Sequence, residues 1–210
     1  MKIFLLLIVV MMGLEGLAQE RDPEGFVLVK SDPPFEVRER WVEFPGKKPT
    51  VTSRELKSEF LTNATIYQIL ALIKDPDQAK EWQSHVSEFK VYNRPDTNSW
   101  DVYSRHDVPW PVSDQDFFME YKLTEIRPYE ELHINFKSRI DHKMAPVNEN
   151  VNRIELVGSW KLEQVSPEQV KVTYRIQSAP ATNLPRMIID PVIRNNLLAS
   201  IRSLKELAEK

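Results

Sequence analysis

The sequence predicts an α+β fold: a curved antiparallel sheet of about nine strands wrapped around a long C-terminal helix, with short helices after the third strand. Three observations predict it. Four successive segments between residues 117 and 177 alternate apolar and polar side chains with a period of two, as an antiparallel meander with one wet face requires. A short stretch from Asn63 switches to helical spacing. Residues 184–210 then carry a broad apolar stripe at helical spacing, long enough to lie across the sheet.

The elements follow in chain order. Residues 26–31, 35–44 and 50–61 are rich in β-formers, with Pro33-Pro34 and Pro45 marking turns between them. In "NATIYQILALIKDPDQAKEWQ", Asn63 is the expected N-cap, and apolar residues fall at 66, 69, 70 and 73 before a stop near Asp75-Pro76. A second turn carries Trp82. Segments 85–93 and 100–108 are again strand-like, the second ending where Pro109 and Pro111 bracket Trp110. Neither proline can donate a backbone hydrogen bond, so pairing must stop there or reach an edge.

The meander is cleaner. Phe117, Met119, Tyr121 and Leu123 share one face, with Glu120, Lys122 and Thr124 opposite. Leu132, Ile134, Phe136 and Ile140 repeat the pattern, as do Ile154, Leu156, Gly158, Trp160 and Leu162, then Val170, Val172, Tyr174 and Ile176. The final helix has Pro185 in its first turn and Pro191 as an expected kink, with Leu184, Ile188, Val192, Leu197, Ile201, Leu204 and Leu207 on its apolar side. A strongly curved sheet held off a helix by bulky side chains leaves a cavity, and one lined by Leu, Ile, Phe and Met accepts apolar ligands.

Composition bounds the function. The 210 residues are 41% hydrophobic and 28% charged, with net charge −3 and no cysteine. A mildly acidic chain lacks the basic face of a nucleic-acid binder, and no disulfide scaffold is available. The N-terminus, "MKIFLLLIVVMMGLEGLAQE", has the layout of a signal peptide: Lys2, an apolar run from Ile3 to Met12, and Gly16 and Ala18 before a cleavage point. An uncleaved membrane anchor is the rival reading of the same run. Residues 1–18 are thus assigned to the signal and 19–210 to one domain, secreted or periplasmic after cleavage near Ala18. Asn63-Ala64-Thr65 also fits a glycosylation sequon.

"WDVYSRHDVPWPVSDQDFFMEY" resembles a segment of START domains, the steroidogenic-regulator-related lipid-transfer family within the wider helix-grip superfamily. The shared pattern is Pro109-x-Pro111-x-Ser113 followed by Asp116, and this chain has Gln115 where the family usually has Arg. "GSWKLEQVSPEQVKVTYRIQSAPATNLPRMIIDPVIRNNLLASIRSLK" is similar to the closing strands, the Leu-Pro junction and the final helix. "IKDPDQAKEWQSHVSEFKVYNR" resembles the region where a Trp precedes the fourth strand. The family's usual Gly before Leu-Pro is replaced by Asn183, which can take the left-handed conformation. The resemblance covers roughly residues 26–208 and implies the helix-grip fold, a hydrophobic pocket and a bound lipid. It also implies that Pro109, Trp110 and Pro111 are architecture, with Ser113 and Asp114 capping the turn.

No HExxH, GxSxG, GxGxxG or P-loop occurs, and the four histidines lack metal-ligand spacing; His133 falls on the polar face of its strand. No catalytic, cofactor or metal residues are assigned. The pocket candidates are Tyr103, Arg105, Phe117, Met119, Tyr121, Phe136, Trp160, Tyr174, Ile188 and Val192. Arg105 either enters the pocket to meet a ligand's polar head or lies on the surface beside Asp107. The expected function is non-catalytic binding or transfer of a lipid or other hydrophobic small molecule by a monomer, with transient membrane contact and no nucleic acid. The alternatives are an enzyme of the cyclase type on the same fold, or an envelope protein without a ligand. "DHKMAPVNEN", residues 141–150, is longer than a hairpin needs. Its apolar Met144 and Val147 either gate the pocket or tuck into the domain edge.

Intact-mass measurement of exported protein should give a chain beginning at Gln19; retention of residues 1–18 would overturn the secretion reading.

Overall fold

A computed structural model describes residues 21–180 and 184–210. The signal-peptide reading and the expected conformation of Asn183 lie outside the described residues. The elements run β1 (Val27–Asp32), β2 (Phe35–Glu43), β3 (Thr52–Thr62), α1 (Ile66–Lys74), α2 (Pro76–Trp82), β4 (Val86–Asn93), β5 (Ser99–His106), β6 (Gln115–Arg127), β7 (Glu131–Ser138), β8 (Asn152–Arg153), β9 (Leu156–Ser166), β10 (Gln169–Ser178) and α3 (Arg186–Ala208).

Nine strands form one antiparallel path in the order β1-β2-β3-β10-β9-β7-β6-β5-β4. The expectation of about nine strands is met, with one addition: β8, two residues long, pairs parallel to β6 through Gln115↔Asn152 and Asp116↔Arg153. The meander registers as its alternation requires, for example Tyr121↔Phe136, Ile134↔Trp160 and Trp160↔Tyr174. Ile140 is the exception. β7 ends at Ser138, and Ile140 is 81% exposed in the loop beyond it.

Local chemistry sets the short helices. Thr65, not Asn63, caps α1: its hydroxyl accepts from the Gln68 N–H at 3.2 Å, and the Gln68 side chain accepts from the Thr65 N–H at 2.8 Å. Asn63 lies two residues earlier and donates its backbone N–H to Glu209 at 3.2 Å, tying the end of β3 to the C-terminus of α3. Asp75 ends α1 and begins α2, its carboxylate accepting from Asp77 and Gln78 ahead of Pro76 at the first helical position.

α3 lies on the concave face, and no helix among the described residues is long and apolar enough to cross a membrane. The helix runs through Pro191. Its buried side is Ile189, Leu197, Leu198, Ile201 and Leu204, the last four packed in one core with Val37, Leu56, Phe60 and the α1 face Ile66, Ile69 and Ile73. Ile188 and Val192 are therefore corrected: Ile188 is 39% exposed and Val192 half-buried. Stepping back from Leu197 by 3.6 residues reaches 193 and then 189–190, so the adjacent isoleucines face inward instead.

Removing buried methyls at Ile201 should cost about 2–5 kcal/mol on mutation to Ala, whereas Ile188→Ala should stay within about 0.5 kcal/mol. Denaturant melts of both variants check the register; equal losses would place the helix one residue differently.

Candidate functional site

Between the concave sheet and α1, α2 and α3 lies a cavity of about 430 Å³. Its floor is formed by Tyr121, Phe136, Tyr174 and Trp160, part of an aromatic row running across the sheet. Trp100 stacks on Tyr121 (5.4 Å between ring centres), Tyr121 on Phe136 (5.1 Å), Phe136 on Tyr174 (6.1 Å) and Tyr174 on Trp160 (3.9 Å), with Trp82 of α2 edge-on to Trp160 at 5.9 Å. Gly158 makes room for the row. A Cβ there would stand 2.3 Å from the Phe136 ring and 2.3 Å from the Arg175 carbonyl oxygen, so no larger residue fits without displacing the ring. Burial raises the pKa of Tyr121 and of Tyr174, which keeps both phenols protonated.

Six of the ten sequence candidates line the cavity: Phe117, Met119, Tyr121, Phe136, Trp160 and Tyr174. Ile188 and Val192 do not; Ile189, Ile193, Asn196, Leu197 and Ser200 supply the helix side. Tyr103 is also corrected, and of the two alternatives for Arg105 the surface one beside Asp107 holds. On β5 the inward parity belongs to Trp100, Val102, Ser104 and His106, which turns Tyr103 and Arg105 to the convex side. There Arg105 pairs with Asp114 at 2.9 Å and Asp107 at 3.3 Å. The Asp114 carboxylate thus serves an ion pair and not the turn cap the resemblance implied. Tyr103 donates to Asp116 at 3.2 Å, and burial followed by that carboxylate pushes its pKa up to about 12. Asp116 is itself held by both arms of Arg153, at 2.6 and 2.8 Å. Trp110, 91% exposed, takes no part in the cavity.

Two polar groups that sequence reasoning missed interrupt the apolar lining. On the β5 arm, the His106 Nδ1 lies 3.1 Å from the Ser84 carbonyl oxygen, which can only accept, so Nδ1 carries the proton. Nε2 is then the acceptor, 3.3 Å from the Ser104 hydroxyl. Ser84, Asn196 and Ser200 continue this polar seam onto α3, the Ser84 N–H donating to Ser200 at 2.9 Å. On the β3 arm stand Arg54 and Arg186, backed by Glu39, Asp190 and Arg194. Arg54 shares its strand face with Leu56 and Phe60, a parity signal that could have revealed it.

The loop at 141–150 is tied to the domain edge. Asp141 accepts from Lys143 and Met144, Ala145 is buried, and Arg153 reaches the Ala145 and Pro146 carbonyls, each at 3.4 Å. Val147 remains exposed and lies outside the cavity lining. Among the described residues no group of three or more His, Cys, Asp or Glu could hold a metal ion.

Burial lowers the His106 pKa to about 4, only partly offset by its bond to the Ser84 carbonyl. An unfolded chain takes up this proton near pH 6.5, while the folded chain resists until about pH 4. Stability should therefore fall as pH drops through that window, by as much as about 3 kcal/mol from this group. Denaturation at pH 7.5 and pH 4.5 should show a smaller acid loss in His106→Gln; an unchanged loss would mean that the imidazole is already protonated when folded.

Comparison with known proteins agrees with this architecture. The chain is 26% identical over 148 residues to an uncharacterized protein of Pseudomonas aeruginosa, covering 70% of this chain and 71% of that one. It superposes on a STAR-related lipid transfer protein from Xanthomonas axonopodis with a TM-score of 0.73 at 19% identity, over 89% of this chain and 99% of that one. The human StAR-related lipid transfer protein 5 gives a TM-score of 0.74 at 16% identity, over 90% and 88%. The Zhui aromatase/cyclase from Streptomyces gives 0.54 at 12% identity, over 75% and 94%. These likenesses establish the START-type helix-grip fold. The sequence model described as polyketide cyclase / dehydrase and lipid transport matches residues 62–205, and the chain belongs to that family.

Proposed function

We propose that this protein binds a lipid or other hydrophobic small molecule in its internal cavity and carries it without chemical change. The observation that carries the proposal is the cavity itself: about 430 Å³ lined by Leu56, Ile73, Met119, Leu156 and the aromatic row. That volume falls within the roughly 300–1,000 Å³ of small-molecule sites, and apolar lining with a few placed polar groups is their usual character.

The lining also speaks against acid–base catalysis. Among the described residues it contains no Asp, Glu or Lys, and the one imidazole there is held neutral with Nδ1 committed to a backbone carbonyl. The cyclase reading of the fold would have to work through His106 Nε2 and the two phenols. The N-terminal apolar run supports placing the exchange outside the cytoplasm, with the chain acting as a monomer in transient contact with a membrane surface.

Native mass spectrometry of protein extracted without detergent should find a co-purified hydrophobic molecule, or uptake of one from vesicles. Protein that stays empty in both would overturn the proposal. Release of a chemically altered ligand, lost in His106→Gln, would favour the enzyme.

A further inference from the structure

The cavity's charge is one-sided. Among the described residues every charged side chain in its lining is an arginine, Arg54 on β3 and Arg186 at the start of α3. Behind them, three guanidiniums (Arg54, Arg186 and Arg194) share two carboxylates, Glu39 and Asp190, which leaves one positive charge in excess. The carboxylates are heavily used. Glu39 accepts from Trp41 at 3.0 Å and from Arg194 at 2.9 and 3.2 Å, while Asp190 takes the buried Arg54. Arg186 receives what remains, two long contacts of 3.4 and 3.5 Å.

Two further details point to a missing acceptor. Arg54 has a side chain only 7% exposed, and its Nε, 3.2 Å from Glu39, makes no hydrogen bond of acceptable geometry. A buried guanidinium donor left over is costly unless something accepts from it. Arg186, by contrast, is largely solvated and lies over the Trp41 ring, its Cζ 4.3 Å from the ring centre, so its donors can turn to the cavity end without breaking a strong pair.

We infer that this end of the cavity, at Arg54 and Arg186, is a subsite for the anionic oxygen head of a single-chain amphiphile, a carboxylate or a phosphate, whose chain lies over the aromatic floor. The inference rests on the cavity being a hydrophobic-ligand site. Size favours one chain, because about 430 Å³ is near the lower end of known ligand sites and a two-chain lipid would need a larger space.

The probes are cis-parinaric acid and its methyl ester, titrated by fluorescence against the full-length mature chain. The acid should bind about tenfold to a hundredfold more tightly than the ester, the range for hydrogen bonds to a charged group. Arg186→Gln should weaken the acid by most of that factor and the ester by much less, with an unchanged thermal midpoint showing that the fold is intact. Competition separates the head groups: stronger displacement by oleate assigns a carboxylate, stronger displacement by lysophosphatidic acid a phosphate. Equal affinity of acid and ester for the parent protein would overturn the subsite and leave the hydrophobic cavity standing. Failure of both probes to bind would remove the hydrophobic-ligand reading itself, and the subsite with it.

Discussion

A single long helix must cover the concave face of a nine-strand sheet, and it is too narrow to fill it. Strands about 4.8 Å apart make such a sheet roughly 40 Å across before curling, against about 10 Å for a helix with its side chains. α1 and α2 close part of the difference, α2 through Trp82 against Trp160. What remains is the cavity. Its existence follows from this mismatch, and the large, flat aromatic floor keeps the sheet from collapsing onto α3.

Seating the helix then needs different interactions along its length. From Leu197 to Leu204 it is held by burial of apolar side chains in the common core. Ile189 and Ile193 face the cavity, and the first turns are also held by charge: Asp190 to Arg54, and Arg194 to Glu39 at 2.9 Å. Breaking one member of such a buried set costs far more than a surface pair would, because the partner is left as an uncompensated charge. Ser84 pins the helix at Asn196, between these two regions, and again at Ser200.

How much of this was legible in the sequence depends on which periodicity was in play. Strands after residue 115 have unambiguous alternation, so Phe117, Met119, Tyr121, Phe136, Trp160 and Tyr174 fell on the correct face. β5 misled because both of its faces carry buried or aromatic residues: Trp100 and Val102 inside, Asp101 and Tyr103 outside. The convex side there is sealed by ion pairs, Asp101 with Arg94 and Arg139 and Asp116 with Arg153, which makes outward polar residues as buried as inward apolar ones. On α3 the adjacent pairs Ile188-Ile189 and Val192-Ile193 offer two apolar faces, and only counting back from Leu197 chooses between them. Arg54 was harder to see. Its parity with Leu56 and Phe60 points inward, but β3 is buried on both sides, with Ser53 and Lys57 as enclosed as Leu56 and Phe60, so that signal is weaker there than on the meander.

The helix seat and the cavity's polar end share residues, and this has a consequence for ligand loading. An anionic head that engaged Arg186 would replace its two long contacts to Glu39 and Asp190, leaving those carboxylates with Arg54, Arg194 and the Trp41 indole. The positive excess of the cluster would fall to zero, so the low-dielectric cavity would hold a neutral set in place of a charged one. Glu39 and Asp190 would keep their shorter bonds, and the first turns of α3 need not detach when the head is in place. A neutral head offers no such exchange and would leave the cluster's positive excess in place. The same arrangement that fastens the helix would thereby discriminate between ligands that the aromatic floor, indifferent to charge, would accept alike.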